Sequence, residues 1–384
     1  MPVLELPTRE RRLELYMTRG PRPWPNLGPF SRVALAAAHV VADPLAPTDP
    51  WLEANLDWDA TLAYRRHLWR LGFGVAEATD AAQRGMGLDW STALELIRRS
   101  VEAARDIPGA LLFSGAGTDH ISGQQRLDQV MSAYEKQMAA IEHAGGRVML
   151  LASRALGQTA RSDEDYAKVY DRVLSQAREK VIIHWLGEAY DPTLAGYWGH
   201  RDLDRAAEVL LAIVAAHAER VDGIKLSLLD KKREVALRRA LPPGVRLYTG
   251  DDFDFAELIA GDDSSHSDAL LGIFDAIAPA AAVALAALAR GDRAAYDEIL
   301  APTAPLARHV FAAPTRCYKT GLVFMAYLNG HQRHFVMVGG LQSTRSLVHL
   351  AELFRLADGA GLLADPDLAA RRMTAVLRVH GVGG

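Results

Sequence analysis

VIIHWLGEAYDPTLAGYWGHRDLDRAAEVLLAIVAAHAERVDGIKLS, residues 181–227, begins and ends in a short apolar run and carries a helical pattern between. The runs are Val181-Ile182-Ile183 and Gly223-Ile224, and over 203–218 apolar side chains recur every three or four positions. The alternation continues outward in both directions. Upstream stand Val33-Ala34-Leu35-Ala36-Ala37, Gly74-Val75-Ala76, Ala110-Leu111-Leu112-Phe113 and Val148-Met149-Leu150-Leu151, and downstream Val245-Arg246-Leu247-Tyr248 and Ala269-Leu270-Leu271. Helical periods at 90–105, 126–143 and 165–178 separate them. Strands alternating with helices predict a parallel sheet, and eight units over this length match an α/β fold of the (β/α)8 TIM barrel type. An open doubly wound sheet would carry Gly-x-Gly-x-x-Gly after its first strand, where this chain has Ala38-His39-Val40-Val41-Ala42-Asp43. The predicted organisation is an N-terminal arm at 1–30, including Gly20-Pro21-Arg22-Pro23-Trp24-Pro25, a barrel at 31–290, and a C-terminal helical extension of three or four helices at 291–384.

The chain has 384 residues, of which 49% are hydrophobic and 23% charged, which fits a globular protein and not a disordered one. Forty-three basic and 47 acidic side chains give a formal charge of -4, so no basic field draws the chain to nucleic acid. A single cysteine, Cys317, rules out an internal disulfide framework and suits a reducing compartment. The charged N-terminus is unlike a signal peptide, and the apolar stretch 269–289 is broken by Asp275 and Pro279. The expectation is a cytoplasmic protein without membrane contact, and a buried strand running into a packed helix at 269–289.

Barrel enzymes place reacting groups at the C-terminal ends of their strands. Those positions here hold His39, then Glu77, Thr79 and Asp80, then Ser114 and His120, Ser153, His184, Lys225 and Asp251, with His266 and Asp268 flanking the eighth strand. Lys225 is the sharpest of them, because a lysine inside an apolar strand is either paired or working. Desolvation lowers an amine's pKa, and a neutral amine attacks ketones to give an iminium. A snorkelling side chain, or an ion pair with Asp251 or Glu77, is the plain alternative. His184 can act as general acid or base, or be a hydrogen-bonded core histidine. Histidines and carboxylates at the mouth also suit zinc or manganese, with His39, Glu77 and His120 as lead ligands, although no His-x-His or His-Glu-x-x-His spacing supports a metal. The glycine-rich Ser114-Gly115-Ala116-Gly117-Thr118 turn could cradle a phosphate, and Arg345 could reach an anion or cap its turn. Trp51, Trp58, Tyr64 and Trp69 follow helical spacing, the run Asp230-Lys231-Lys232-Arg233-Glu234 reads as a solvated helix start, and His331 and His334 read as surface residues.

The Gly-Ile-Lys strand, followed by Gly250-Asp251, Pro279 and Gly291-Asp292-Arg293-Ala294-Ala295, resembles the second half of the dihydrodipicolinate synthase and N-acetylneuraminate lyase superfamily. The whole chain, with its tail Tyr318-Lys319-Thr320-Gly321 through Asn329-Gly330-His331-Gln332, is similar to an uncharacterised group within it. The resemblance implies a homo-oligomeric class I aldolase barrel with its imine-forming lysine at Lys225 and no cofactor beyond that covalent Schiff base. The superfamily's proton-relaying tyrosine falls on His184-Trp185-Leu186-Gly187, and its carboxylate-gripping loop falls on Glu77-Ala78-Thr79-Asp80-Ala81. A carboxylate pair at Glu77 and Asp80 would repel a keto acid and accept hydrogen bonds from hydroxyls.

The expected activity is therefore that of a lyase on a polyhydroxylated keto substrate, with Lys225 as nucleophile and His184 as proton shuttle. His39, Glu77, Thr79, Asp80, Ser114, His120, Ser153, Asp251 and His266 are the expected substrate contacts. An imine-dependent dehydratase, a divalent-metal sugar lyase or isomerase, and a non-catalytic sugar-binding barrel are the alternatives.

Overall fold

Two strands that the apolar-run reading passes over open the chain. β1 (Val3–Pro7) and β2 (Leu13–Met17) pair antiparallel with Val3 opposite Met17. In β2 the apolar Leu13, Leu15 and Met17 face solvent, so burial gives no sign of the strand. The hairpin docks through β1, which buries Leu4 and Leu6 in the core, and through contacts to the helix Leu347–Gly359: Tyr16 Oη donates to Asp358 Oδ2 at 2.7 Å, and Arg355 reaches the carbonyls of Leu6 and Pro7. The computed structural model describes residues 1–25 and 28–382, so 26 and 27 of the expected arm and 383 and 384 of the expected extension lie outside the described residues.

The barrel is built by β3 (Ala34–Ala37), β4 (Gly74–Glu77), β5 (Leu112–Ala116), β6 (Arg147–Leu150), β7 (Val181–Leu186), β8 (Val221–Ser227), β9 (Arg246–Thr249) and β10 (Asp268–Leu271). All pairs are parallel in chain order, and β10 closes on β3 with Ala269 opposite Ala34. Each of the eight apolar runs has become a strand of this (β/α)8 TIM barrel. Buried on both faces, such strands read as continuous apolar runs and not as alternations. Helices fill the crossovers, and several start on acidic caps: Asp57, Asp89 and Asp202 each accept a backbone N–H in the first turn.

At the floor, where the strands begin, Asp222 accepts from Tyr248 Oη at 2.6 Å and pairs with Arg246 at 3.2 Å and Arg147 at 3.3 Å. Arg246 also pairs with Asp268, whose other oxygen takes the Val33 N–H. His266, just ahead of β10, therefore stands at the floor and not at the mouth where the sequence reading puts it. A residue that precedes a parallel strand is at the end opposite the chemistry.

Beyond β10 the chain enters the helix Ile273–Ala289, nearly all of it buried, as expected for 269–289. Among the described residues no helix is long and apolar enough to cross a membrane. Among the described residues the C-terminal helical extension holds five α-helices, Arg293–Leu300, Ala304–Val310, Tyr318–Leu328, Leu347–Gly359 and Pro366–Val379. The sequence reading misses the short helix Ala304–Val310.

Some surface expectations change. The run at 230–234 does start a helix, capped by Asp230, but Glu234 is buried and accepts from Thr249 Oγ1 and Ser267 Oγ. Burial pushes its carboxyl up to about 8. His331 is not a surface residue: its ring packs 4.6 Å from that of His67 and 4.9 Å from that of Tyr64. His334 is partly buried, its Nδ1 accepting from the Val336 N–H. Arg345 spends its donors on the carbonyls of Val310 and Ala312, a turn cap.

Candidate active site

β8 is buried from end to end, and Lys225 sits in it opposite His184 on β7 and Tyr248 on β9. A side chain at Gly250, just past β9, would place its Cβ 2.2 Å from Ser227 Oγ and 3.1 Å from Lys225 Cε, so only glycine leaves the amine its room. Among the described residues no group hydrogen-bonds Lys225 Nζ. Burial pushes its pKa down to about 8, against the opposing pull of Asp252 and Asp80. About a tenth of the amine is then unprotonated at pH 7, far more than for an ordinary lysine.

Those carboxylates are held differently. Asp252 Oδ1 accepts from the Ile273 N–H at 2.8 Å and Oδ2 from Tyr190 Oη at 3.1 Å. Burial raises it to about 7, with the Ile273 bond and Lys225 working the other way. Asp80 Oδ1 accepts from Lys319 Nζ at 2.9 Å, and Lys319, almost wholly buried, also donates to the Arg316 carbonyl. Tyr318 packs beside them with its ring centroid 6.2 Å from that of Tyr190, and burial holds both phenols well above their ordinary pKa. Two phenols thus stand beside these acids, Tyr190 from the loop after β7 and Tyr318 from the C-terminal extension.

His184 Nε2 lies 3.1 Å from Ser227 Oγ. Burial, then the neighbouring Lys225, drives its pKa well below the ordinary value, so the imidazole is neutral and a weaker base than an exposed histidine. It faces a cleft of about 390 Å³ whose walls include Asp80, Arg84, Thr118, Asp119, Ser153, Arg154 and Asp191. Of the expected site residues, the contacts Asp80 and Ser153 and the proton shuttle His184 line this cleft, and Lys225 does not.

Others go elsewhere. Glu77 points to the helices outside the barrel, bonded by both oxygens to Arg65 at 2.9 Å and by Ser100 Oγ at 2.6 Å. Ser114, its register partner on β5, is buried with its hydroxyl unbonded. The carboxylate pair expected of Glu77 and Asp80 is therefore not assembled, and Asp80 is neutralised by Lys319. Thr79 is buried and precedes the short 3-10 turn Asp80–Ala82. Asp251 shapes its own loop, accepting from the N–H groups of Phe253 and Asp254, while its neighbour Asp252 is the acid whose charge bears on Lys225.

The lead metal ligands also part. His39 Nδ1 binds Asp275 at 2.8 Å, Glu77 binds Arg65, and His120 Nδ1 meets Gln137 Nε2 at 2.8 Å. Among the described residues no group of three or more His, Cys, Asp or Glu side chains is placed to hold a metal ion. The glycine turn is occupied too: the Gly117 N–H donates to Gln137 Oε1 and the Gly115 carbonyl accepts from Arg84.

Sequence reasoning put Asp252 beside Asp251 at the end of the seventh barrel strand but took Asp251 as the contact, and it gave Tyr190, Tyr318 and Lys319 no role. Lys319 carried a usable signal, since Tyr318-Lys319-Thr320-Gly321-Leu322-Val323-Phe324 sets a lysine in an apolar run just as Val221–Ser227 does.

A family model described as "Protein of unknown function (DUF993)" matches residues 4–382. No curated protein matches the chain. Among solved structures, a dihydrodipicolinate synthase from Aquifex aeolicus superposes with a TM-score of 0.64 at 12% identity over 87% of this chain and 99% of that one. A prophage protein of the dihydrodipicolinic acid synthase family from E. coli K12, in complex with pyruvate, gives 0.67 at 12% identity over 86% and 99%. The chloride-inhibited dihydrodipicolinate synthase from Acinetobacter baumannii, also with pyruvate, gives 0.62 at 16% over 86% and 99%. At these identities the likeness is one of fold.

Proposed function

The chain belongs to the DUF993 family of proteins of unknown function, and from the mouth of its barrel we propose that it is a class I lyase that works through an imine on Lys225. The observation that carries this reading is the buried amine itself: unbonded, with its pKa lowered to about 8, and set against a neutral histidine and two carboxylates. A structural lysine in such a place would be paired off, as Lys319 is with Asp80.

The neutral Lys225 amine adds to a ketone carbonyl, and loss of water leaves a protonated imine. His184 then takes the proton of a hydroxyl on the carbon β to it. The bond between the α and β carbons breaks, its electron pair moves into the imine to give an enamine, and an aldehyde departs. Protonation of the enamine carbon and hydrolysis return the amine and release the second product. Asp252, near neutrality and bonded to the Tyr190 phenol, supplies proton exchange at the imine. The cleft hydroxyls of Thr118 and Ser153 favour a hydroxylated ketone as substrate. With Glu77 turned away, the repulsion once expected against keto acids is gone.

Borohydride added with a hydroxylated ketone should fix a stable mass on the peptide containing Lys225, and Lys225→Ala should lose both adduct and turnover. Turnover by Lys225→Ala at the wild-type rate would sink the proposal.

A further inference from the structure

Arg154 and Asp191 form an ion pair in the wall of the cleft, with the arginine side chain half-exposed. Asp191 Oδ2 accepts from Arg154 Nε, and its Oδ1 is held by the Thr193 N–H at 3.1 Å and Thr193 Oγ1 at 2.7 Å. The acid is thus fixed, and it fixes the guanidinium by one nitrogen. Among the described residues nothing accepts from Arg154 Nη1 or Nη2, although the residue lines the cleft. The guanidinium lies over Gly85, which has φ +70°, and a Cβ there would sit 3.0 Å from Nη1. A planar fork with two free donors is the geometry that receives two oxygens of one anion.

A second donor is built into the same wall. Thr118 Oγ1 and Ser153 Oγ lie 2.6 Å apart, both side chains buried, and Ser153 Oγ already accepts the Leu156 N–H. The two hydroxyls own two protons and need one for the bond between them. Whichever way that bond runs, the other proton is left over, and both residues line the cleft. The carboxylates of the wall are matched in turn: Asp119 by Arg84, Asp80 by Lys319 and Asp191 by Arg154. An incoming anion therefore meets no uncompensated acid.

We infer that Arg154, with the Thr118–Ser153 hydroxyl pair, forms a subsite for an oxyanion terminus, phosphate or carboxylate, on the substrate. This deepens the proposed lyase reading and rests on it for the identity of the reacting end, because His184, opposite Lys225, opens on the same cleft.

The test pairs charged and neutral ketones. Dihydroxyacetone phosphate against dihydroxyacetone probes a phosphate terminus, and levulinate against its methyl ester probes a carboxylate. Wild-type protein should be trapped by borohydride at Lys225 at about tenfold lower concentration of at least one charged probe than of its neutral partner. Arg154→Gln should erase that preference and Arg154→Lys should restore part of it. Equal trapping within both pairs, or a preference that survives Arg154→Gln, overturns the subsite. Calorimetric binding of the same charged probes to Lys225→Ala separates the two claims. Binding there that Arg154→Gln abolishes upholds the subsite even where no ketone traps and the imine reading falls; no Arg154-dependent binding there overturns it.

Discussion

The floor and the mouth of the barrel are both dense in buried charge, yet their charges are used in opposite ways. At the floor Asp222 is shared by Arg147, Arg246 and Tyr248, and Asp268 by Arg246 and the Val33 N–H. At the mouth Lys225 is buried with no hydrogen bond among the described residues, and both Asp252 and His184 are displaced from their ordinary pKa toward the neutral form. A buried charge that is fully paired is inert, because proton transfer would break its network. One left short of partners shifts toward its neutral form, which leaves it open to exchange a proton with a bound molecule.

The largest effect that would break this comparison lies at the mouth. Lys225→Met should lower ketone turnover at least about a thousandfold while the thermal midpoint stays level or rises, since an unpaired buried amine is replaced by an apolar chain of similar length. Calorimetry and turnover on one preparation check both; a melting loss as large as that of a floor variant would merge the two regions. Asp222→Ala should do the reverse. Taking away the buried acid that Tyr248, Arg147 and Arg246 share should cost roughly 2 kcal/mol of stability in urea unfolding, with trapping at Lys225 almost unchanged in rate.

A smaller effect concerns the extension's grip on the mouth. In Lys319→Met, Asp80 loses its cation and its full charge acts on Lys225, which then holds its proton more tightly. The pH profile of imine trapping should move alkaline by about one unit, and Lys319→Arg should return it. An unmoved profile would reduce Lys319 to a packing residue. The smallest effect is on stability alone. Glu234, up at about 8 in the fold, is protonated there at pH values where the unfolded chain has released the proton. The unfolded state therefore binds fewer protons between its own pKa near 4.3 and about 8, and stability falls as pH rises through that window. Glu234→Gln should flatten that slope in urea titrations across pH 5 to 8.

Where the strands lie was legible because each is a continuous apolar run, and the helices' amphipathic period fixed the crossovers. The hairpin was not, since β2 turns its apolar side chains outward and docks by way of Tyr16, whose partner Asp358 is at the far end of the chain. Lys225 and His184 could be placed together because pairing of adjacent strands follows from their order. Glu77 could not be separated from Asp80 by sequence: strand residues alternate faces, and only the partner Arg65 on the helix Trp58–Arg70 shows which face Glu77 takes. Lys319 and Tyr318 were out of reach for another reason, as nothing local says that a helix beyond the barrel returns to cover its mouth.

That return has a consequence for the order in which the molecule becomes itself during synthesis. All eight strands, with Lys225 and the loop bearing Asp80, leave the ribosome well before Lys319, and the hairpin waits longer still for Asp358. A barrel that closes as it emerges would carry, for the time it takes to make the rest of the chain, an Asp80 without its cation and so a more basic Lys225. The amine of Lys225 is tuned last, by a residue that arrives after the fold that holds it.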